Sequence, residues 1–575
     1  MNLNKVFIIG RITADPELRT TPAGDHVASF SIATNRYWRT KEGERKESTE
    51  FHNVVVWGRQ AEVINQFSKK GSVIMIEGRL QTRAWEGKDG QTRRTTEIVA
   101  ENISIIQSDR LEGATRIDAE YYQPEYLNIE GHLLNTANYK LWKDINGRFI
   151  TGPFGSSFNV ENYVSYPPYR YIRGKDVKDF FLLDDDNVYI PEKDYERLKK
   201  YALYEGDILI SVVGTLGNAV IVDKNNIPSV FSCKSTAFRT NTLNPFFLIA
   251  YLNCLFGKKL LQRKVRGAVQ TGLNIDDLKL LPIYLPNTES QNKIAKLVID
   301  AKNNLEQSKV LYSQAESLLL EELGIKDIDL SHEPCYEVNS ANAISANRID
   351  AEYYQPKYER VIEAIENSKY GWCKLPDRIT NIIDKYDPYK EQERNFRYIE
   401  LSNINPSIGV IDDYLELKGK DLPSRARMLI REGDVIISSV EGSIDKVALV
   451  DNIHDGCIAS TGFFVFRANE NTLPEYALVL CKSILIQKQL EKLSSGTILA
   501  AVPKNLVETL IIPDVPIEAQ KEIANLIRQS HSARRQAKEL LEQAKQKVEE
   551  MIEKGTLNGM RKRVNYKSTS SKNIC

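Results

Sequence analysis

The phrase RIDAEYYQP stands twice in this chain, at Arg116–Pro124 and again at Arg348–Pro356. Chance does not return nine identical residues within one chain of 575, so an internal duplication constrains the fold before any local structure is read. The lines after each copy also run in parallel. YIR (Tyr171 to Arg173) answers YIE (Tyr398 to Glu400), and EGDILISVVGTLGNAVIVD from Glu205 answers EGDVIISSVEGSIDKVALVD from Glu432. QNKIAKLV from Gln291 answers QKEIANLI from Gln520. From about residue 112 onward the chain is one module of roughly 230 residues used twice. The first 110 residues belong to neither copy.

Those first residues alternate in short runs: KVFIIGRI, HVASFSIATN, EFHNVVVWG, SVIMIEGRL and RTTEIVAENISII. Five strands at this spacing suggest a small barrel. One helical stretch, RQAEVINQFSKKG, follows the third strand and is expected to end at Gly71. That order is the order of an OB-fold. Aromatic and basic residues interleave on the strands, with Trp38, Phe51, Trp57 and Trp85 beside Arg36, Arg39, Arg83 and Arg94. Aromatic faces in a cationic groove are the chemistry of sequence-tolerant single-strand binding, at about 1–3 kcal/mol per stacked base. The competing reading is that the tryptophans are core. Trp38 and Trp85 each lie beside a charged, Gly-containing turn, which weakens it.

Here a resemblance becomes specific. Residues 1–108 resemble the bacterial single-stranded DNA-binding protein, SSB, through NKVFIIGRITADPELR, FHNVVVWGRQAE, KKGSVIMIEGRL and TRAWEGKDGQTRRTTE. The resemblance implies that the family's four stacking aromatics fall on Trp38, Phe51, Trp57 and Trp85, two of them with Phe and Trp exchanged. It places a histidine important for tetramer assembly at His52, and implies homo-oligomerisation through the OB domain. The family ends in a flexible tail with a short acidic tip that recruits repair and replication proteins. This chain ends RKRVNYKSTSSKNIC, which is basic, so housekeeping service is not expected.

Each copy of the module opens with the shared phrase, continues through mixed strand and helix patterns, and closes on a long charged helix. The mixture predicts an α/β or α+β globule. Heptad-spaced apolar residues mark the closing helices: Val298, Leu305, Tyr312 and Leu319 in the first, and Ile527, Ala537, Leu541, Ala544, Val548 and Met551 in the second. Polar Ser530 and Arg534 are expected to interrupt the second seam. Two related helices of about 35 residues span roughly 50 Å and would pair as a rod holding two globules apart. The alternative is two separate helices, each packed on its own domain.

Two similar globules on a spacer suit two half-sites along a duplex, where half-site spacing mirrors protein geometry. The pattern resembles the specificity (S) subunit of type I restriction–modification systems over residues 112–555. The motifs are TGPFGSSF at Thr151 to Phe158, YRYIRGKDV, EGDILIS with VGTLGNAVIV, and RGAVQTGLNIDDLKLLPIYLP, matched more loosely by FRYIELSNI, EGDVIIS, SGTILAAVPKNLVETLIIP and AQKEIANLI. The resemblance implies one target-recognition domain per half of a bipartite, asymmetric DNA sequence. It implies antiparallel helices that set the gap and dock two methyltransferase (M) subunits, with a restriction (R) subunit joining them. Readout would use Arg, Lys, Asn and Gln against major-groove edges. The candidates are Arg173, Lys175, Lys234, Arg266, Gln270 and Asn274 in the first copy, and Arg397, Asn403, Lys446 and Lys504 in the second.

Catalytic chemistry is not expected in this chain. Tyr166-Pro167-Pro168-Tyr169 lacks the Asp or Asn that an amino-methyltransferase motif needs, and no GxxxxGK[ST] phosphate loop occurs. Six scattered histidines and seven dispersed cysteines make no metal or triad pattern, and no cofactor is expected. With 77 basic and 77 acidic residues the net charge is zero, so nucleic acid must be drawn by local patches. The absence of a long apolar run or a signal-peptide layout predicts a cytoplasmic protein without membrane contact.

The expected architecture is multidomain, a β-barrel OB-fold followed by two α/β (α+β) target-recognition domains separated by long paired coiled-coil helices. Its parts are the OB-fold at 1–110, a first recognition domain at 111–288, a spacer helix at 289–325, a second recognition domain at 345–514, a spacer helix at 515–555, and a basic flexible tail at 556–575. The joint near Ser108 to Thr115 is short, so the barrel is expected close to the first globule. The rival reading is an SSB-class replication or repair protein with a C-terminal scaffold region.

Overall fold

The computed structural model describes residues 4–22, 24–39, 45–86, 91–106, 119–136, 138–153, 158–266, 271–325, 328–346, 348–494 and 501–570. Within these it gives the backbone alone at 36–39, 45–46, 93, 104–106, 119, 342–343, 345 and 557–570. The joint at 108–115 lies outside the described residues. The chain divides into two compact units, Met1–Gly131 and His132–Cys575.

The first unit is a closed barrel. Its strands are β1 (Val6–Ile12), β2 (Glu17–Thr20), β3 (His26–Arg39), β4 (Arg45–Trp57), β5 (Val73–Glu86) and β6 (Thr92–Ile106). The sheet runs β1-β5-β6-β4-β3 and returns to β1 through Arg11 opposite Ala33, with the short β2 added on β3. Alternation supplies the core: Ala28, Phe30 and Ile32 on β3, Val54 and Val56 on β4, and Ile74 and Ile76 on β5 all point inward. Each such large side chain contributes about 1.5–3 kcal/mol on burial. At one crossing, a Cβ on Gly78 would lie 2.2 Å from the Val99 carbonyl oxygen, so only glycine lets β5 pass β6 there. Helix α1 (Arg59–Phe67) lies between β4 and β5. It ends four residues before Gly71, which instead takes a φ of +88° in the following turn and donates its N–H to the Ile12 carbonyl.

In the second unit the duplication is visible strand by strand. The first copy has a five-stranded sheet in the order Phe180–Phe181, Ala219–Ile221, Ile208–Ser211, Ser235–Arg239, Arg148–Thr151. The second copy has four strands in the order Ile379–Asn381, Phe463–Ala468, Asp434–Ser438, Val447–Leu449. In both, the strand that follows the EGD turn is central. Parallel pairing recurs too: Arg170–Ile172 lies beside Ser229–Phe231, and Asn395–Ile399 beside Ile458–Ser460. An antiparallel pair closes each globule, Tyr139–Leu141 with Pro282–Tyr284 and Trp372–Lys374 with Ile511–Pro513.

Each closing pair leads into a long helix. The first helix (Thr288–Glu322) starts at Asn287, whose side chain accepts the Ser290 N–H at 2.9 Å. It stops before Gly324, which takes a φ of +66°, as glycine does after many helix ends. The second helix (Ile517–Ser570) does not stop at residue 555 as expected. Gly555 is a close-approach residue there rather than a cap: a Cβ would meet Thr136 at 3.3 Å, and Thr556 donates its hydroxyl to the His132 carbonyl.

The two long helices pack along each other, antiparallel. Tyr284, just before the first, reaches the Met551 carbonyl near the far end of the second, while Tyr312, Ala315 and Leu319 share a core with Ile523 and Ile527. The expected interruption of the seam at Ser530 is not found. Ser530 is fully buried within the seam and meets the equally buried Ser308. Arg534 leaves the seam to pair with Asp412 of the second globule. Polar residues at these positions thus find partners rather than gaps, which a pattern of apolar residues alone does not reveal.

Candidate nucleic-acid interfaces

On the barrel, inward alternation leaves the opposite side chains of the same strands outside. Phe51 (69 % exposed), Trp57 (43 %) and Trp85 (49 %) are all surface residues, which settles them as non-core. Phe51 and Trp57 share β4, each three residues from the buried Val54 and so on the opposite face. Trp85 lies in the exposed β5–β6 arm, where its Nε1–H donates to Thr95 Oγ1 at 3.0 Å. Arg83, two residues away on the same face, pairs through Nε with Glu97 at 2.7 Å, and Arg94 is exposed opposite Ala84. Trp38, Arg36 and Arg39 are on β3 opposite Lys46, Ser48 and Arg45, but their side chains lie outside the described residues. His52 Nε2 hydrogen-bonds Thr34 Oγ1 at 2.9 Å.

In the first globule, Arg173 and Lys175 converge on one carboxylate. Lys175 Nζ is 2.7 Å and Arg173 3.4 Å from Asp186, while Arg173 also holds Asp176 at 3.0 Å. Burial opposes the charge on Arg173, but these acids outweigh it and raise its pKa; Lys175, first, and Arg173 hold Asp186 below the usual carboxylate range. Lys234 packs against the turn between them, since a Cβ on Gly174 would lie 3.0 Å from its Cβ. The Lys234 carbonyl accepts the Val212 N–H, and the Val212 carbonyl accepts that of Leu273. That brings Asn274 to the same edge, where it caps the helix Ile275–Lys279. Arg266 bridges to Gly272 and grips Asp277 with two bonds, 2.5 and 2.6 Å. Gln270 lies outside the described residues.

The second globule gathers its candidates less tightly. Asn403 closes a capping box on Glu400, and Lys446 donates to the Leu401 carbonyl in that same turn at 2.8 Å. Arg397 is elsewhere, held by the carbonyls of Ile453 and Asp455. Lys504 is surface-exposed; the packing around it, and then the charge of Lys385, lower its pKa.

The acid of each repeated EGD turn is a structural residue that the sequence does not single out. Asp207 is almost wholly buried and takes a two-pronged bond from Arg239 at 2.7 and 2.6 Å. Asp434 and Arg467 repeat it at 2.7 and 2.9 Å. The repeated EGD turn was the available signal; the arginine partner was not visible in sequence. A cleft of about 540 Å³ between the second globule and the second long helix is lined by Asp412, Asp451, His454, His531 and Arg535 among others. In the first copy Lys302, the counterpart of His531, bridges to Asp223 at 3.2 Å. Among the described residues no group of three or more His, Cys, Asp or Glu side chains could hold a metal, and no helix is long and apolar enough to cross a membrane.

A five-stranded closed barrel with exposed aromatics, followed by two repeats of one mixed globule on antiparallel helices, defines a class of multidomain nucleic-acid-binding proteins. The single-strand binding protein family matches residues 3–106, and the type I restriction modification DNA specificity domain matches 153–312 and 379–549, more than half of the chain. The chain belongs to the type I restriction–modification DNA specificity family and carries an N-terminal domain of the single-strand binding protein family.

Similar proteins include the single-stranded DNA-binding protein of Neisseria meningitidis, 43% identical over 106 residues, 18% of this chain and 61% of that protein. That of Oceanobacillus iheyensis is 41% identical over 121 residues, 21% of this chain and 74% of that protein. The chain thus spans about three fifths of the length of the Neisseria relative. A solved structure of Plasmodium falciparum SSB in complex with ssDNA is 32% identical, covering 19% of this chain and 97% of that one, with a TM-score of 0.18.

Proposed function

We propose that this chain is the sequence-specificity subunit of a type I restriction–modification system, reading a bipartite duplex target while an N-terminal OB domain binds single-stranded DNA. The observation that carries the reading is the antiparallel packing of two related helices, each continuous with one of two look-alike globules. Such an arrangement relates the globules by an approximate twofold, and duplex half-sites of opposite polarity are related in the same way. The helices act as a coiled-coil spacer between recognition domains at 111–288 and 345–514.

Base readout falls to Arg173, Lys175, Lys234, Arg266, Gln270 and Asn274 in one domain and to Arg397, Asn403, Lys446 and Lys504 in the other. Arg173, Lys175, Arg266, Arg397 and Lys446 are held by an internal acid or carbonyl, so DNA would compete with that partner or use the residue as a positioned donor. Single strands stack on Trp38, Phe51, Trp57 and Trp85, with Arg36, Arg39, Arg83 and Arg94 meeting phosphates. Catalysis rests with M and R subunits, and the chain works in the cytoplasm without a cofactor. A tethered single-strand binder would meet strand exposed by a working restriction complex at high local concentration.

The test is co-expression with candidate methyltransferase subunits and genome-wide mapping of methylated adenines. One two-part motif with a fixed gap is expected; methylation without a motif, or none, overturns the reading.

A further inference from the structure

The buried serine pair does more than fill space. Ser530 Oγ–H donates to the Ser308 carbonyl at 2.7 Å, and the two hydroxyl oxygens are 3.0 Å apart, so Ser308 can donate to Ser530 in return. Both side chains are within 1 % of complete burial. Seven residues before Ser308 lies Ala301 and seven after Ser530 lies Ala537, both fully buried. In an antiparallel pair these alanines face each other two turns along the seam.

The duplication turns this into a code. Aligning Gln291 with Gln520 places Ser308 on Ala537 and Ala301 on Ser530, with Ile294 on Ile523 and Ala315 on Ala544. Most seam positions that flank this centre are alike in the two helices, Tyr312 on Leu541 and Leu305 on Arg534 being the exceptions, so each long helix offers a second copy of itself much of the same apolar surface. In either like-with-like pairing, however, each serine would face an alanine. Facing alanine, a serine keeps a main-chain carbonyl of the kind Ser530 uses on Ser308 but loses the hydroxyl that Ser308 returns, whereas two buried serines supply both bonds to each other.

We infer that the serine layer is a pairing code: it admits the first long helix only against the second, in one register, and disfavours closure on the same helix of a second copy of this chain. It makes one chain assemble two different globules rather than two chains pairing like with like. The inference rests on the helix seam alone and does not depend on which DNA, if any, the globules read. A polar residue in an apolar seam fixing register and partner is an established use of buried polarity.

The full-length chain tests it by moving the layer. Transposing one helix only (Ser530→Ala with Ala537→Ser, or Ala301→Ser with Ser308→Ala) puts serine against alanine at both layers. Amide hydrogen exchange at the centre of both helices is then expected to rise at least tenfold, and the mass distribution by light scattering to shift upward. The N-terminal unit is the same in every variant, so a change in mass reports the seam. Transposing both helices rebuilds a serine pair two turns away and should return both readings to the parent values. Ser308→Ala with Ser530→Ala removes the code without leaving a mismatch: protection should persist while the mass distribution still shifts. Half-transposed chains with parental exchange and mass overturn the inference, as does a fully transposed chain that stays as open as the half-transposed ones.

Discussion

Asp207 and Asp434 explain, at the scale of single residues, why the EGD turn recurs. Each buried carboxylate accepts a main-chain N–H three residues upstream, from Tyr204 and Arg431, and a two-pronged bond from an arginine on a neighbouring strand. Removing one partner of a buried pair leaves an uncompensated charge, at a cost of about 3–5 kcal/mol. Asp434→Ala strands only the half-exposed Arg467, so about 3 kcal/mol, the lower end of that range, is expected in urea unfolding of the second globule. Tyr312 offers the opposite case. Its hydroxyl is buried in the helix seam and has no hydrogen-bond partner among the described residues. Tyr312→Phe should therefore leave stability unchanged or raise it by about 1 kcal/mol, and a clear loss would show a missed partner.

His531 adds a pH dependence. Burial lowers its pKa, while its Nε2 meets the Ile408 carbonyl and Asp451, Glu475 and Arg534 supply the nearby charge. A histidine depressed in the folded state is neutral there while the unfolded chain takes up its proton near pH 6.5. Its contribution is whole above that value and is lost as pH falls through the folded value. The melting temperature of the second globule should fall on acidification from pH 7, and His531→Gln should remove the part that begins near 6.5. Asp412, also lowered, acts only at more acid pH: burial opposes its charge, but Arg534 and then Lys538 outweigh it. The two contributions are separable by pH.

At the scale of elements, the barrel was the most legible part of the chain. Period-two alternation in β3 to β5 gave both the core and its complement, so exposure of Phe51, Trp57 and Trp85 follows from the same pattern that buries Val54, Val56, Ile74 and Ile76. Phe51→Ala and Trp85→Ala should each weaken binding of oligo-dT by about 1–3 kcal/mol, measured by fluorescence titration, without altering the barrel's melting temperature. A melting temperature that drops with affinity would mark them as structural. Helix ends were less legible. Gly71 and Gly555 resembled terminators, yet each serves a tertiary need: a left-handed turn in one case and approach to Thr136 in the other. The polar seam was misread for a related reason. Ser530 interrupts its own helix's apolar pattern, and only the partner helix shows that Ser308 completes it. Arg173 and Arg266 are candidate readers by residue type alone, and the sequence does not show that Asp186 and Asp277 already hold them.

At the scale of the whole molecule, duplication is the organising fact, and the two copies have drifted unevenly. Sheet order, closing strand pairs, the buried Asp–Arg pair and the helix seam are retained. The edges that carry the candidate readers differ, Arg173 standing where the second copy has Glu400, and on the helices Lys302 stands where it has His531. Retained scaffold with divergent edges suits two heads reading different half-sites. The N-terminal unit is a separate compact unit, so deleting residues 1–110 should leave sequence-specific methylation intact while weakening strand capture or restriction. Equal loss of both activities would contradict a tethered role.

The most direct measurement exchanges one head for the other. The closing strand pairs give the cut points, so residues 139–285 are replaced by residues 372–514, and methylated adenines are mapped with the same methyltransferase partner. Two copies of one reader on antiparallel helices should methylate an inverted repeat of a single half-site, with the gap unchanged. Retention of the original asymmetric sequence, or a repeat in the same orientation, would contradict the account.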